Sequence, residues 1–229
     1  LDGLVSGKVI NKVVQADYLK FIDYSQADNQ LIKELKEKKI KKIIFSDLNF
    51  KKEFIDETLK FADVLIIDHH IVENDFNSDK CVFLNSQGYC ASYIAYYLFS
   101  KMQNIEGLDW LVACACLSDW AFFKNENWMN EIYKKYGQKF NSDKNEVMKD
   151  KFYNFALSLS IAIICYRNKD LNEFYKLIPE KFGELEGLKE AYKIVNEEII
   201  KTINLFEKGK KEFREGYFWE INCKFQIKE

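Results

Sequence analysis

Short apolar runs alternate with amphipathic segments over the first 90 residues of this chain. The apolar runs are typical of buried parallel strands, and the amphipathic segments have the spacing of helices. Strands are predicted at residues 18–24, 43–45, 63–67 and 81–84, and helices at residues 3–14, 29–39 and 50–61. Alternation of this kind, with short loops, predicts an α/β fold built on a doubly wound, Rossmann-like parallel sheet.

From residue 89 onward the pattern is mostly helical. Helices are predicted at residues 89–103, 106–117, 127–137 and 144–166, followed by a long connector helix at 187–211. Residues after Gly216 alternate as in a strand. We therefore expect one domain over residues 1–180, a helical connector over 181–212, and in 213–229 the first strand of a second domain that lies outside the chain.

The chain has two histidines, and both directly follow the apolar strand at 63–67, in the order Asp68, His69, His70. Open α/β sheets bind ligands at the carboxyl ends of their strands. Imidazole is the side chain best suited to metal binding or proton transfer near neutral pH. The three residues could instead cap the strand and satisfy loop backbone groups.

Three further aspartates have comparable positions, each at the end of an apolar segment or beside a glycine turn. Asp47 follows the strand at 43–45, Asp119 follows the apolar run 111–117, and Asp2 precedes Gly3. Carboxylates gathered at one sheet edge repel each other unless a cation joins them. Asp47 alone would be an ordinary turn residue and Asp119 a helix cap. Together with imidazole, the carboxylates favour manganese over magnesium.

Composition limits the other classes of function. The formal net charge is -2, with arginine only at positions 167 and 214, so nucleic-acid binding needs a local patch or metal ions. The lysines between residues 36 and 42 are most simply a solvated helix end. The six cysteines lack zinc-ligand spacing. With neither a signal peptide nor an apolar run of about 20 residues, we expect a cytoplasmic protein that does not enter membranes.

These residues resemble the DHH phosphoesterase family. Asp2-Gly3 matches the end of the family's HxDxDG motif, Asp47 its second motif, Asp68-His69-His70 its third, and Asp119 its fourth. The resemblance covers residues 1–125. The His and first Asp of HxDxDG would lie before Leu1, and the family's second domain is also outside the chain.

The resemblance implies a role for each matched residue at a site with two manganese ions, or with magnesium in their place. Asp47 would bridge the ions, while Asp2, His69 and Asp119 complete the second metal site. His70 would face the substrate phosphate as donor or general acid, and Asp68 would orient the histidines.

Ser92 is the best match to a small hydroxyl residue that the family places near the substrate, although it could simply belong to an ordinary helix start. The expected activity is hydrolysis of phosphodiester bonds in single-stranded DNA or RNA, or in short oligonucleotides, as in RecJ-like exonucleases. Two alternatives stay open: an inactive scaffold with replication or repair protein partners, and a phosphatase of small molecules such as pyrophosphate, nucleotide bisphosphates or cyclic dinucleotides.

Overall fold

The structure is a computed structural model that describes residues 1–167, 170–179, 181–184, 186–213 and 216–218. The chain forms two compact units. The first contains Leu1–Ala156 with Glu180–Phe182, and the second contains Leu157–Pro179 with Gly183–Glu229. The predicted domain boundaries at residues 180 and 212 stay a prediction.

A three-stranded parallel sheet, in the order β1-β2-β3, forms the centre of the first unit. Its strands are β1 (Lys42–Ser46), β2 (Asp63–Asp68) and β3 (Cys81–Asn85). Ser46 pairs with Ile67, and Asp68 pairs with Asn85, so the three strands end at one edge. The predicted α/β class with a parallel sheet is confirmed, and three of the four predicted strands form.

The helices of the first unit cover both faces of this sheet. Val64 and Ile66 of β2 face a buried cluster that contains Leu35 of α2 and Ile55 of α3. Because successive strand residues point to opposite faces, Ile67 is buried on the other side, where α1 and α4 pack. The helices of this unit are α1 (Asp2–Val14), α2 (Asn29–Glu37), α3 (Lys52–Leu59), α4 (Ala91–Phe99), α5 (Asp109–Ser118), α6 (Glu126–Lys135), α7 (Lys144–Val147) and the start of α8 (Lys151–Arg167).

The second unit contains the rest of α8, followed by α9 (Leu171–Leu177) and α10 (Lys189–Gly209). The strands β4 (Lys211–Phe213) and β5 (Gly216–Phe218) then pair in antiparallel fashion. The long helix predicted at 187–211 is thus present as α10. The predicted strand after Gly216 begins as β5, and its continuation lies outside the described residues.

Two predicted elements differ from the structure. Residues 18–24 form no strand; they run as irregular chain into a 3-10 turn at Tyr24–Gln26. The helix predicted at 144–166 is two helices, α7 and α8, because Asp150 interrupts it and accepts a hydrogen bond from the Tyr153 N–H at 2.7 Å. Among the described residues, no helix has both the length and the apolar character that crossing a membrane requires.

Candidate metal centre

Asp47 lies in the turn that leaves β1, at the edge where the strands end. Its backbone has a φ of 59°, in the left-handed region that Asp adopts more readily than most residues. Its N–H donates to the Ile67 carbonyl at 3.0 Å, which fixes the turn against β2. The first turn of α1 lies close by, since a Cβ on Gly3 would be 3.0 Å from Asp47 Oδ2. Glycine at position 3 therefore permits this approach.

Asp2 is the first residue of α1, and it is almost fully buried, at 1% exposure. Its carboxylate accepts hydrogen bonds from the N–H groups of Ala91, at 2.7 Å, and Ser92, at 2.9 Å. These groups open α4 and have no partner within their own helix. Asp2 is thus held in place by the start of a second helix.

The remaining members of the cluster are Asp119 and His69. Asp119 follows α5 as its C-terminal cap, and Trp120 then turns the chain with a φ of 51°. His69 follows β2, and its Nε2 faces three carboxylates: Asp47 Oδ1 at 3.3 Å, Asp119 Oδ2 at 3.4 Å and Asp2 Oδ2 at 3.6 Å. One ligating atom from each of the four residues lies within 4.8 Å of the others.

Crowding of these carboxylates changes their proton affinity. Burial, together with repulsion from Asp47 and Asp119, raises the pKa of Asp2 to about 7. Burial and repulsion from Asp47 also raise the pKa of Asp119. The hydrogen bond to Asp47 raises the pKa of His69 to about 9, with support from the neighbouring carboxylates. Asp2 and Asp119 therefore hold protons more strongly than ordinary carboxyl groups, and a bound cation would stabilise their charged forms.

The donor set of this cluster fits a hard divalent cation. Carboxylate oxygens suit magnesium and manganese, and an imidazole nitrogen shifts the preference toward manganese. Asp2, Asp47, His69 and Asp119 would hold the ion. A second group of side chains shares Asp47 and His69 and adds Asp68 and His70.

His70 is held from both sides of its ring. Its Nδ1 lies 2.7 Å from Oδ1 of Asp68, which is 1% exposed. Burial raises the pKa of Asp68, but the hydrogen bond and charge of His70 outweigh it, so the net pKa is lowered. The same hydrogen bond raises the pKa of His70. On the other side, His70 Nε2 lies 3.1 Å from the Tyr24 hydroxyl. Asp68 thereby fixes the ring orientation and leaves Nε2 directed outward.

Ser92 lies behind the cluster. It is fully buried, its N–H donates to Asp2, and its hydroxyl lies 3.2 Å from Cys90 Sγ. In this position Ser92 orients Asp2, and its predicted contact with substrate stays a prediction.

Three residues beside His70 were not predicted from the sequence. Tyr24, Asn49 and Lys51 line a surface pocket of about 470 Å³ together with Phe50 and His70. Burial and repulsion from the nearby carboxylates raise the pKa of Tyr24 to about 12. Tyr24 lay in a segment predicted as a strand, and Asn49 lies in the loop after β1. Lys51 lay at the start of the helix predicted at 50–61, and in the structure it precedes α3 as its N-terminal cap. For Asn49 and Lys51 the signal in the sequence was their position two and four residues after Asp47, and Tyr24 had no such signal.

Comparisons with known proteins indicate the fold. No protein-family model matches the sequence, and no curated protein does. Among solved structures, the crystal structure of exonuclease RecJ bound to manganese is similar, with a TM-score of 0.57 and 14% sequence identity. The likeness covers 90% of this chain and 60% of that chain. This chain therefore has a RecJ-like α/β fold and spans less than two thirds of that structure.

Proposed function

We propose that this chain is the catalytic domain of a divalent-metal-dependent phosphoesterase. Its substrate would be single-stranded nucleic acid or short oligonucleotides, in which it hydrolyses phosphodiester bonds. The main observation behind this proposal is that His69 Nε2 lies within 3.6 Å of the carboxylates of Asp2, Asp47 and Asp119. The fold supports the proposal, because the similar structure is that of an exonuclease with bound manganese. Cytoplasmic location and partners in replication or repair stay predictions.

The side chains would have two roles, metal binding and contact with the substrate phosphate. Asp2, Asp47, His69 and Asp119 would bind the divalent ions, manganese foremost, and Asp47 is shared by both groups of candidate ligands. When bound, such ions supply Lewis-acid chemistry that polarises a phosphoryl oxygen and lowers the pKa of an attacking water. In its imidazolium form, which the hydrogen bond to Asp68 favours by raising the His70 pKa, His70 would donate a hydrogen bond from Nε2 to a phosphate oxygen. Asp68 keeps Nδ1 protonated, so that Nε2 stays aimed at the substrate.

Cleavage of a labelled single-stranded oligonucleotide by the protein with its natural termini tests this proposal. We expect manganese-dependent cleavage, and a loss of at least about 100-fold in rate for Asp47→Asn, because this ligand belongs to both groups. Asp56→Asn is the matched control, since Asp56 is exposed and pairs with Lys52 on α3. Normal turnover in Asp47→Asn would show that the site is wrongly assigned.

A further inference from the structure

A pocket of about 470 Å³ opens beside His70, outside the carboxylate cluster. We call it the His70 pocket; its lining residues are Tyr24, Asn49, Phe50, Lys51 and His70. Asn49 lies two residues after Asp47, and two residues of extended chain span at most about 7 Å. The pocket therefore begins within one nucleotide length of the candidate metal centre, and His70 borders both.

The lining combines an exposed aromatic ring with an exposed cation. Tyr24 is 55% exposed, and its hydroxyl lies 3.1 Å from His70 Nε2. Phe50 also lines the pocket and is buried. The Lys51 side chain is exposed, and within the described chain no carboxylate forms an ion pair with it. Its neighbour Lys52 differs, because it pairs with Asp56 at 2.8 Å.

This combination suits a nucleotide. Aromatic rings stack on the faces of bases whatever their identity, and lysine attracts backbone phosphate without reading sequence. Pockets for small ligands start at roughly 300 Å³, so the volume of about 470 Å³ suits one nucleotide unit. A phosphodiester phosphate is bonded to two nucleosides. If the phosphate lies at His70, the pocket offers space for one of these nucleosides.

We propose that the His70 pocket binds the nucleotide next to the scissile phosphate, with its base on the Tyr24 ring and its phosphate beside the Lys51 ammonium. The inference rests on the proposed function and narrows its substrate class. The preferred substrate is an oligonucleotide with at least two phosphates, and a diester with a single phosphate binds less tightly. Asn49 contributes an amide for the sugar or base edge.

The test compares two thymidine oligomers, TpT and TpTpT, which differ by one nucleotide and one phosphate. Dissociation constants are measured by calorimetry in calcium, and KM and kcat in manganese. Lys51→Gln should weaken the binding of TpTpT by about 3- to 10-fold. The dissociation constant of TpT should change by less than about twofold, because TpT has no second phosphate. Lys52→Gln is the matched control and should change the dissociation constant of neither TpT nor TpTpT.

Tyr24 is tested through its ring and its hydroxyl separately. Tyr24→Ala should weaken both oligomers by about 5- to 100-fold, the range for loss of one stacked base. Tyr24→Phe keeps the ring and should retain the dissociation constant while changing kcat, because only the contact with His70 is lost. Tyr97→Ala, at a 59% exposed tyrosine on α4, is the control for loss of a surface ring.

The outcomes separate this inference from the proposed function. Two results would contradict nucleotide binding in the His70 pocket. One is an equal effect of Lys51→Gln and Lys52→Gln on the TpTpT dissociation constant, and the other is no detectable binding of TpTpT at millimolar concentration. Hydrolysis that proceeds without any effect of the Tyr24 and Lys51 variants would also overturn it, while the proposed function stands. The expected pattern of dissociation constants without manganese-dependent hydrolysis would support the pocket and contradict the proposed function alone.

Discussion

Manganese affinity of the cluster should depend steeply on pH, because His69 must lose a proton before its Nε2 can bind a metal ion. With the His69 pKa raised to about 9, about 0.3% of the imidazole is neutral at about pH 6.5 and about 9% at about pH 8.0. The affinity should therefore rise by about 30-fold over this interval. Asp2, with a pKa of about 7, adds to the increase below neutral pH.

Calorimetry measures this competition directly. Titrations at one pH in two buffers of different ionisation enthalpy give the number of protons released per ion. Near pH 7 we expect about 1.5 protons, one from His69 and about half of one from Asp2. An NMR titration of the metal-free protein provides the control, since the chain has two histidines and His70→Asn leaves one signal. An affinity independent of pH, or a His69 that titrates near 6.5, would refute the reasoning.

Two further predictions concern the close approach of Gly3 to Asp47 and the hydrogen bonds of buried Asp109. Gly3→Ala should lower manganese affinity by about tenfold without lowering the melting temperature, because the new Cβ would lie 3.0 Å from Asp47 Oδ2 whereas alanine favours the helix. Asp109→Ala should lower the free energy of unfolding in urea by about 2 kcal/mol, because buried Asp109 accepts hydrogen bonds from the Lys135 ammonium, at 2.5 Å, and the Tyr136 hydroxyl, at 2.8 Å.

Each of these predictions has a matched control. Gly107→Ala adds a Cβ with no atom within 4 Å, so manganese affinity should not change. Lys149→Gln breaks an exposed ion pair with Glu146 and should change stability by under about 0.5 kcal/mol. Unchanged manganese affinity in Gly3→Ala, or a loss of stability in Asp109→Ala no larger than in Lys149→Gln, would contradict the structural argument.

Apolar runs predicted the sheet well because burial determines them. Val64 and Ile67 are at most 4% exposed, so a strand covered on both faces has to be apolar throughout. The order of the motifs also placed Asp47 and His69 at the carboxyl edge, which follows from parallel strands alone. Which of their atoms face each other depends on the turn at Asp47 and on the approach of Gly3, which a pattern of polarity does not encode.

The segment at residues 18–24, predicted as a strand, shows why an apolar segment can mislead. Tyr18 and Ile22 pack against the buried cluster beneath α2 and α3, and the Phe21 ring lies against Gly7 of α1. Apolar side chains are therefore frequent there because they cover a core, without pairing to a strand. The same segment places the Tyr24 hydroxyl beside His70. Because the segment was wrongly predicted as a strand, Tyr24 was not predicted as a residue of the His70 pocket.

A crystal grown with manganese, with anomalous scattering recorded at the manganese edge, would test the central claim most directly. We predict a peak within about 2.5 Å of His69 Nε2 and of carboxylate oxygens from Asp2, Asp47 and Asp119, absent from crystals of Asp47→Asn. A difference map without a peak among these four residues, at manganese concentrations that saturate binding in solution, would contradict the account.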